Sequence, residues 1–130
     1  MSPLQAVFTT KAPKPLPQFS QAVKFGEIVY CSGNIGLNPE SWTLVKGGVR
    51  EETKQALLNL SAILEEAGSS INNIIKMNIF LTTMDDFALM NEAFDEVVKS
   101  ETKPCRTCVA VYQLPLSAAV EIECSAFLNT

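Results

Sequence analysis

The 130-residue chain contains no histidine. This absence excludes serine–histidine–aspartate triads, cysteine–histidine pairs and most zinc-site patterns, because each of them needs an imidazole as base or ligand. Any general base must therefore be a carboxylate, a lysine, a tyrosine, a cysteine or a water molecule. The phosphate-binding pattern GxGxxG, the Walker motif and the GxSxG nucleophile elbow are absent too. The sequence thus lacks the common signatures of nucleotide binding and serine hydrolysis.

Charge and long apolar runs are also scarce. Only 18% of the residues are charged, and 10 basic against 14 acidic residues give a net charge of -4. No apolar run approaches the roughly 20 residues that span a bilayer. An acidic balance gives the surface no general attraction to phosphate backbones or anionic membranes. We therefore expect a soluble protein that binds neither membranes nor nucleic acid.

The four cysteines do not form a metal or redox pattern, although Cys105-Arg-Thr-Cys108 has CxxC spacing. A thioredoxin-like motif opens a helix, whereas here the chain continues as a strand, in which positions i and i+3 face opposite ways. Zinc would need four ligands, and Cys31 and Cys124 are isolated. We predict no metal site and interpret Cys108 as a small residue of the core or of a pocket wall.

The length of the chain fits one domain, and we expect a single domain over residues 1–130. Nothing in the sequence looks like a secretory signal. The residues before Glu27 contain no acid, as in transit peptides, but they also contain no arginine and already include strand-like segments. This composition favours the cytoplasm, with mitochondria as the alternative.

Apolar periodicity predicts two helices. Residues from Val49 to Ala67 carry one apolar stripe, with acidic residues in the first turn and Gly68 after the last. A capping-box-like segment from Thr83 to Asp86 begins a second helix that reaches about Lys99. We predict strands at residues 19–24, 27–32, 74–82, 106–114 and 118–128, with a hairpin joining the first two and a hairpin or near-hairpin joining the last two.

The order of these elements predicts an α+β fold, a mixed β-sheet with both helices packed on one face. The face of the sheet without helices would then expose apolar residues to water. Val109, Val111 and Phe127 are apolar residues at outward positions of the predicted strands. Subunit association through this face would bury them.

Asn91 and Arg106 are polar residues in apolar surroundings. Asn91 lies on the same helical stripe as Phe87 and Phe94, so its amide needs hydrogen-bond partners. It either bonds to a nearby loop or is a positioned group at the margin between helix and sheet. Arg106 starts a strand and shares a strand face with Cys108. It is a surface charge, one half of an ion pair, or a planar fork for a substrate carboxylate.

Glu121 and Glu123 project from one face of the last strand, alternating with apolar residues. Two glutamates on one face are common where a strand faces solvent. If that face enters a subunit interface instead, one of them could pair with Arg106 or hold a water molecule for attack on carbon.

The segment Pro104-Cys-Arg-Thr-Cys-Val-Ala-Val111, followed by Leu114-Pro115 and Val120-Glu-Ile-Glu123, resembles the C-terminal signature of the YjgF/RidA family of reactive-intermediate deaminases. Upstream segments that also look like family segments are Phe19-Ser-Gln-Ala-Val23, Ser32-Gly33, Lys76-Met-Asn-Ile-Phe-Leu-Thr82 and Asp86-Phe-Ala-Leu-Met-Asn91. The similarity covers nearly the whole chain, so we expect no second domain and no cleaved presequence.

The resemblance implies a chorismate-mutase-like fold and a homotrimer whose sheets form a central barrel, with an active site in each intersubunit cleft. Arg106 would bind the substrate carboxylate bidentately, and Glu121 would orient or activate the attacking water. The residues that would line the cleft and bind substrate are Phe19, Ser32, Gly33, Asn91 and Cys108. No cofactor is implied, because an iminium carbon is already electrophilic and mainly needs a placed water and proton transfer.

The implied reaction is hydrolysis of enamines and imines, such as 2-aminoacrylate and 2-iminopropanoate, to 2-keto acids and ammonia. A non-catalytic small-molecule-binding or chaperone-like protein is the first alternative. An endoribonuclease is the second, and the acidic balance and the missing histidine count against it. The sequence departs from the family at Phe19, Asn34 and Cys105, where tyrosine, glutamine and alanine are usual. Phe19 keeps the ring but lacks the hydroxyl, which keeps the non-catalytic alternative open.

Overall fold

Two helices cover one face of a six-stranded mixed sheet in the computed structural model, which describes residues 2–130. The strands are β1 (Gln5–Val7), β2 (Ala22–Phe25), β3 (Ile28–Ile35), β4 (Ile74–Leu81), β5 (Cys105–Ala110) and β6 (Val120–Phe127). The helices are α1 (Val49–Ala67) and α2 (Phe87–Val97). The predicted α+β class and the packing of both helices on one face are confirmed.

Helix α1 has the predicted bounds. Its apolar stripe is fully buried against the sheet, with Leu57, Leu60 and Leu64 among the largest buried side chains. Gly68 ends the helix in the left-handed conformation, with φ 87°, and its N–H donates to Glu65 O at 3.1 Å. Here a residue without Cβ is needed, because a left-handed backbone is unfavourable for others.

Helix α2 begins where the capping pattern predicted. Thr83 Oγ1 accepts a hydrogen bond from the N–H of Asp85 at 3.1 Å, and a 3₁₀ turn over Met84–Asp86 leads into the helix. Its end comes before Lys99, because Val98 is already extended. Arg50 and Lys54 of α1 form ion pairs with Glu96 of α2, which link the two helices at their exposed edges.

The strand order is β1-β2-β3-β6-β4-β5, and only β4 and β5 run parallel. The predicted hairpin of the last two strands is therefore wrong, since β4 lies between β5 and β6. Helix α2 returns the chain so that β5 joins the sheet beside β4, at the edge. Strand β6 pairs with β3 at one edge and with β4 at the other, and every second side chain of β6 is buried.

Other strand boundaries also differ from prediction. Strand β1 was not predicted, because three residues are too few to show alternation. Strand β2 starts three residues later than expected, and β5 ends at Ala110 where residues up to Leu114 were expected. After Ala110, the N–H of Val111 donates to Leu81 O at 2.7 Å, and the chain then turns away toward Pro115–Ser117.

The face of the sheet without helices carries exposed apolar side chains. Val109 and Phe127, as predicted, are exposed there, and so is Tyr30. Val111 is half-buried beyond the end of β5. Within residues 2–130, no helix combines the length and the apolar character needed to cross a membrane.

Candidate active site

Four of the predicted site residues line one cavity of about 450 Å³: Phe19, Ser32, Gly33 and Glu121. The cavity lies between the segment that precedes β2, the irregular middle of β3 and the start of β6. The pairing of β3 with β6 shifts register between Cys31 and Asn34, so the two residues in between lie at a bulge. A bulge turns side chains and backbone out of the regular ladder, which opens the sheet toward the cavity.

Ser32 joins the bulge to the segment that carries Phe19. Its Oγ donates to Ser20 O at 2.6 Å, and its backbone N–H donates to Gln21 O at 3.0 Å. The hydroxyl proton is therefore used within the chain, while the oxygen keeps lone pairs that can accept a hydrogen bond. Ser32 thus positions Phe19 and still offers an acceptor to a ligand.

Gly33 makes room for the carboxylate of Glu121. A Cβ at Gly33 would lie 2.8 Å from Glu121 Oε2 and 2.9 Å from its Cδ, closer than carbon atoms tolerate. Glycine at this position allows the carboxylate to lie against the backbone of β3. A larger residue would push the carboxylate away from the cavity.

Glu121 is half-buried on the face of β6 without helices. Burial raises the pKa of its carboxyl group above the ordinary range, and the negative charge of Glu123 raises it further. Glu123 is itself held by Asn78, whose Nδ2 donates to Oε2 at 3.0 Å. Within residues 2–130, no basic side chain forms an ion pair with Glu121. A carboxylate in this environment is well suited to accept a proton from a bound water.

The other predicted residues, Asn91, Arg106 and Cys108, lie on the helix-covered side, at the margin between α2 and β5. The guanidinium carbon of Arg106 is 5.0 Å from the ring centroid of Phe94 and 5.6 Å from that of Phe87. These cation–π contacts orient the arginine. Asn91 lies between the two rings on the same helical face.

Cys108 is half-buried next to the core and shares the strand face of Arg106. Burial raises the pKa of its thiol, and the positive charge of Arg106 opposes this rise without reversing it. The thiol is therefore neutral at physiological pH. Cys105 is exposed, all four cysteines are free, and residues 2–130 contain no group of three or more potential ligands arranged to hold a metal.

The two groups of residues do not meet within one chain. Phe80 of β4 pairs with Glu121 on one side and with Val109 on the other, so Glu121 aligns with Val109 and not with Arg106. Arg106 also points to the helix-covered face, whereas Glu121 points to the opposite one. Within one chain the predicted site residues therefore form two separate groups, one with a carboxylate and one with a cation.

Sequence reasoning missed most of the apolar residues that also line the cavity, among them Leu16, Trp42 and Leu116. Trp42 and Leu116 have positive φ angles of 62° and 57°, which apolar residues rarely adopt. The available signals were weak: a single tryptophan in a turn-rich loop, and a leucine directly after Pro115.

Comparison with known proteins shows similarity over most of the chain. The family model described as Endoribonuclease L-PSP matches residues 9–128. The chain is 43% identical over 122 residues to the 2-iminobutanoate/2-iminopropanoate deaminase of Mus musculus, covering 94% of this chain and 90% of the relative. It is 45% identical over 127 residues to the mitochondrial protein mmf1 of Schizosaccharomyces pombe, covering 91% of this chain and 76% of the relative.

Solved structures show the same fold. Yeast Mmf1 superposes with a TM-score of 0.92 at 37% identity, over 97% of this chain and 99% of that chain. RidA from an Antarctic Psychrobacter gives a TM-score of 0.90 at 41% identity, over 95% and 99%. TdcF of E. coli, solved with bound serine, gives 0.88 at 35% identity, over 96% and 99%.

Proposed function

Because the chain belongs to the YjgF/RidA family, whose model is described as Endoribonuclease L-PSP, we propose that it hydrolyses reactive enamines and imines to 2-keto acids and ammonia. 2-Aminoacrylate and 2-iminopropanoate are the expected substrates. The observation that supports this function best is the position of Glu121, a carboxylate of raised pKa at the edge of an apolar cavity. It can deprotonate a water molecule without histidine.

The proposed reaction needs one base and one water. An enamine first tautomerises to the imine. Glu121 then accepts a proton from water while the oxygen bonds to the imine carbon and the electron pair of the C=N double bond moves to nitrogen. Protonated Glu121 returns this proton to the nitrogen, which gives a carbinolamine. A proton then passes from the hydroxyl to the amino nitrogen through Glu121, the carbon–nitrogen bond breaks, ammonia leaves, and a 2-keto acid remains. The imine carbon is already electrophilic, and catalysis consists mainly of orientation and proton transfer.

The substrate carboxylate needs a cation near Glu121, and we propose that Arg106 of a second copy of the chain provides it. Its planar fork suits a bidentate contact with a carboxylate. In this arrangement three copies associate through the sheet faces that expose Tyr30, Val109 and Phe127, and each cleft between copies joins one Glu121 to one Arg106. Asn91 and Cys108 then form the wall opposite Phe19.

Ligand binding without turnover is the second candidate function. Phe19 supports it, because a ring without a hydroxyl removes one hydrogen bond from the cleft. The same clefts would then hold a keto acid and release it unchanged. We propose the cytoplasm as the location, and mitochondria remain the alternative, since one relative is named mitochondrial.

An imine-hydrolysis assay tests the proposal. An amino-acid oxidase generates 2-iminopropanoate from alanine, and semicarbazide traps the imine that is not hydrolysed. The purified protein should reduce the trapped amount, and Arg106→Ala should lower the rate about 100-fold or more. Arg50→Ala is the matched control, because Arg50 forms ion pairs on the outer edge of the helices and should leave the rate unchanged. Full activity of Arg106→Ala would contradict the proposed role.

A further inference from the structure

A buried glutamate lies on the apolar stripe of α1. Glu52 is 8% exposed, and its neighbours along the stripe, Val49, Ala56 and Leu60, are buried apolar residues. A carboxylate is costly to bury unless it is hydrogen-bonded or paired with a charge. In the part of the chain that the structure describes, residues 2–130, no basic side chain forms an ion pair with Glu52. Core packing alone therefore does not account for a carboxylate at this position.

The carboxylate of Glu52 binds the backbone directly before β6. Its Oε1 accepts a hydrogen bond from the N–H of Ala119 at 2.8 Å. The pairing of β6 with β4 begins at the next residue, Val120, so the sheet offers no partner to the N–H of Ala119. Hydrogen bonds from a backbone N–H to an ionised acceptor are stronger than those to a neutral one. Glu52 thus holds the chain two residues before Glu121.

Helix α1 also holds the strand that pairs with Glu121. Ile35 of β3 is the register partner of Glu121, and Asn59 of α1 donates to Ile35 O at 3.3 Å. Gly36 allows the helix to come this close, because a Cβ at Gly36 would lie 2.6 Å from Cα of Glu52. Contacts from α1 therefore fix the backbone on both sides of Glu121, from the sheet face opposite to its side chain.

We propose that Glu52 is a positioning residue for the proton transfer at Glu121. The inference rests on the proposed function, in which Glu121 is the base. Without an acceptor at position 52, the N–H of Ala119 loses its partner, and the start of β6 must move to bring this N–H to water. The carboxylate of Glu121 then leaves its place against Gly33 and contacts more water.

The first test separates the acceptor of Glu52 from its charge. Glu52→Ala removes both, and we expect kcat for imine hydrolysis to fall at least about tenfold, because small displacements of catalytic groups have effects of this size. Glu52→Gln keeps an acceptor oxygen and should retain most of the activity. Glu51→Ala is the matched control, because Glu51 lies in the same turn of α1 and pairs with Arg50 at 3.3 Å. Equal kcat for Glu52→Ala and the wild type would overturn the proposal.

The pH profile distinguishes positioning from a general loss of folded protein. Burial is the main cause of the raised pKa of Glu121, so a displaced and better hydrated Glu121 has a pKa closer to the ordinary range. The acid limb of the kcat profile should therefore move to lower pH in Glu52→Ala, and it should stay in place in Glu52→Gln and Glu51→Ala. A lower kcat with an unshifted acid limb would mean that Glu52 only stabilises the fold, and the proposal would be overturned.

The ionisation of Glu121 can also be followed without turnover. Glutamate labelled with ¹³C at the carboxyl carbon reports its own titration by NMR, and Glu121→Gln identifies the signal of Glu121. The pKa of Glu121 should lie above the ordinary range in the wild type and closer to that range in Glu52→Ala. The same pKa in both proteins would overturn the positioning role.

These measurements separate the two proposals. If the wild type hydrolyses no imine, the proposed function fails, and the NMR titration alone decides whether Glu52 positions Glu121. If the wild type is active and Glu52→Ala matches it in kcat and in pH profile, only the positioning role fails. Glu52→Met has a side chain of similar size without an oxygen, and it replaces Glu52→Ala if that variant does not fold. Failure of both variants to fold would assign Glu52 to the fold alone and overturn the proposal.

Discussion

Arg106 and Glu121 lie in opposite kinds of environment. Arg106 sits on the helix-covered side with two aromatic rings within 6 Å of its guanidinium, and no ion pair joins it to another residue within 2–130. Glu121 sits on the opposite side of the sheet, against a glycine backbone and an apolar cavity. Each region has the charge that the other lacks. Under the proposed function, a substrate with both a carboxylate and an imine would therefore be bound only where two copies meet.

The largest expected effect comes from mixing two inactive variants. Arg106→Ala and Glu121→Gln should each lower imine hydrolysis about 100-fold or more, because one removes the carboxylate-binding cation and the other the base. Co-expression of the two variants should restore part of the activity, since some mixed copies of the proposed trimer would contain a cleft with both native residues. Imine hydrolysis by the purified mixture is the measurement. A mixture as inactive as its components would contradict a cleft shared between subunits.

The Gly33→Ala variant tests the position of the Glu121 carboxylate without changing Arg106. The added Cβ would meet the carboxylate at 2.8 Å, so Glu121 must move, and we expect kcat to fall at least about tenfold because catalytic groups act only when positioned. Gly26→Ala is the control. Gly26 has a positive φ but no atom within 4 Å of the added Cβ, so it should lose about 1 kcal/mol of stability and no activity. Equal kcat for Gly33→Ala and the wild type would show that the carboxylate does not act from this position.

The pH dependence of activity tests whether the raised pKa of Glu121 governs the reaction. Burial and the charge of Glu123 raise the pKa of Glu121, and the base must be ionised, so kcat should fall as the pH decreases through that raised pKa. Glu123→Gln removes the second cause and should shift the acid limb to lower pH. If the acid limb does not shift in this variant, Glu121 is not the group that accepts the proton.

Stability should respond to pH in the opposite sense. Because the folded-state pKa of Glu121 lies above its ordinary value, protonation favours the folded state. This contribution is complete below the ordinary carboxyl pKa and is lost as the pH rises through the raised pKa. Glu121→Gln should therefore increase the melting temperature at neutral pH while it removes activity. A lower melting temperature for this variant would mean that the ionised carboxylate stabilises the fold.

The smallest effect is expected at the CxxC segment. Cys105 is exposed and its side chain lies on the other strand face from Arg106 and Cys108. Cys105→Ala should leave imine hydrolysis unchanged and alter the free energy of unfolding by no more than about 0.5 kcal/mol. Two results would support a dithiol function of this segment. One is loss of activity in Cys105→Ala, and the other is activity that a thiol oxidant abolishes in the wild type but not in this variant.

Local patterns predicted the elements well and their arrangement less well. The stripe of α1 and the capping of α2 depend on neighbours within a few residues, so the sequence shows them directly. The hairpin of β5 and β6 was predicted because the strands are consecutive along the chain. The sheet places β4 between them, since the pairing of β6 with β3 at one edge and β4 at the other is a property of the whole sheet.

The sequence alone determined that a base must be found without histidine, that an arginine begins a strand, and that two helices are amphipathic. The tertiary structure decided which of these residues share a space. Side-chain alternation along a strand shows only that Arg106 and Glu121 each point to one of the two faces of the sheet. The strand order and the pairing register show that they point to opposite faces. The cavity depends on the bulge in β3 and on the strained residues Trp42 and Leu116, which are positioned by contacts between segments far apart in the chain.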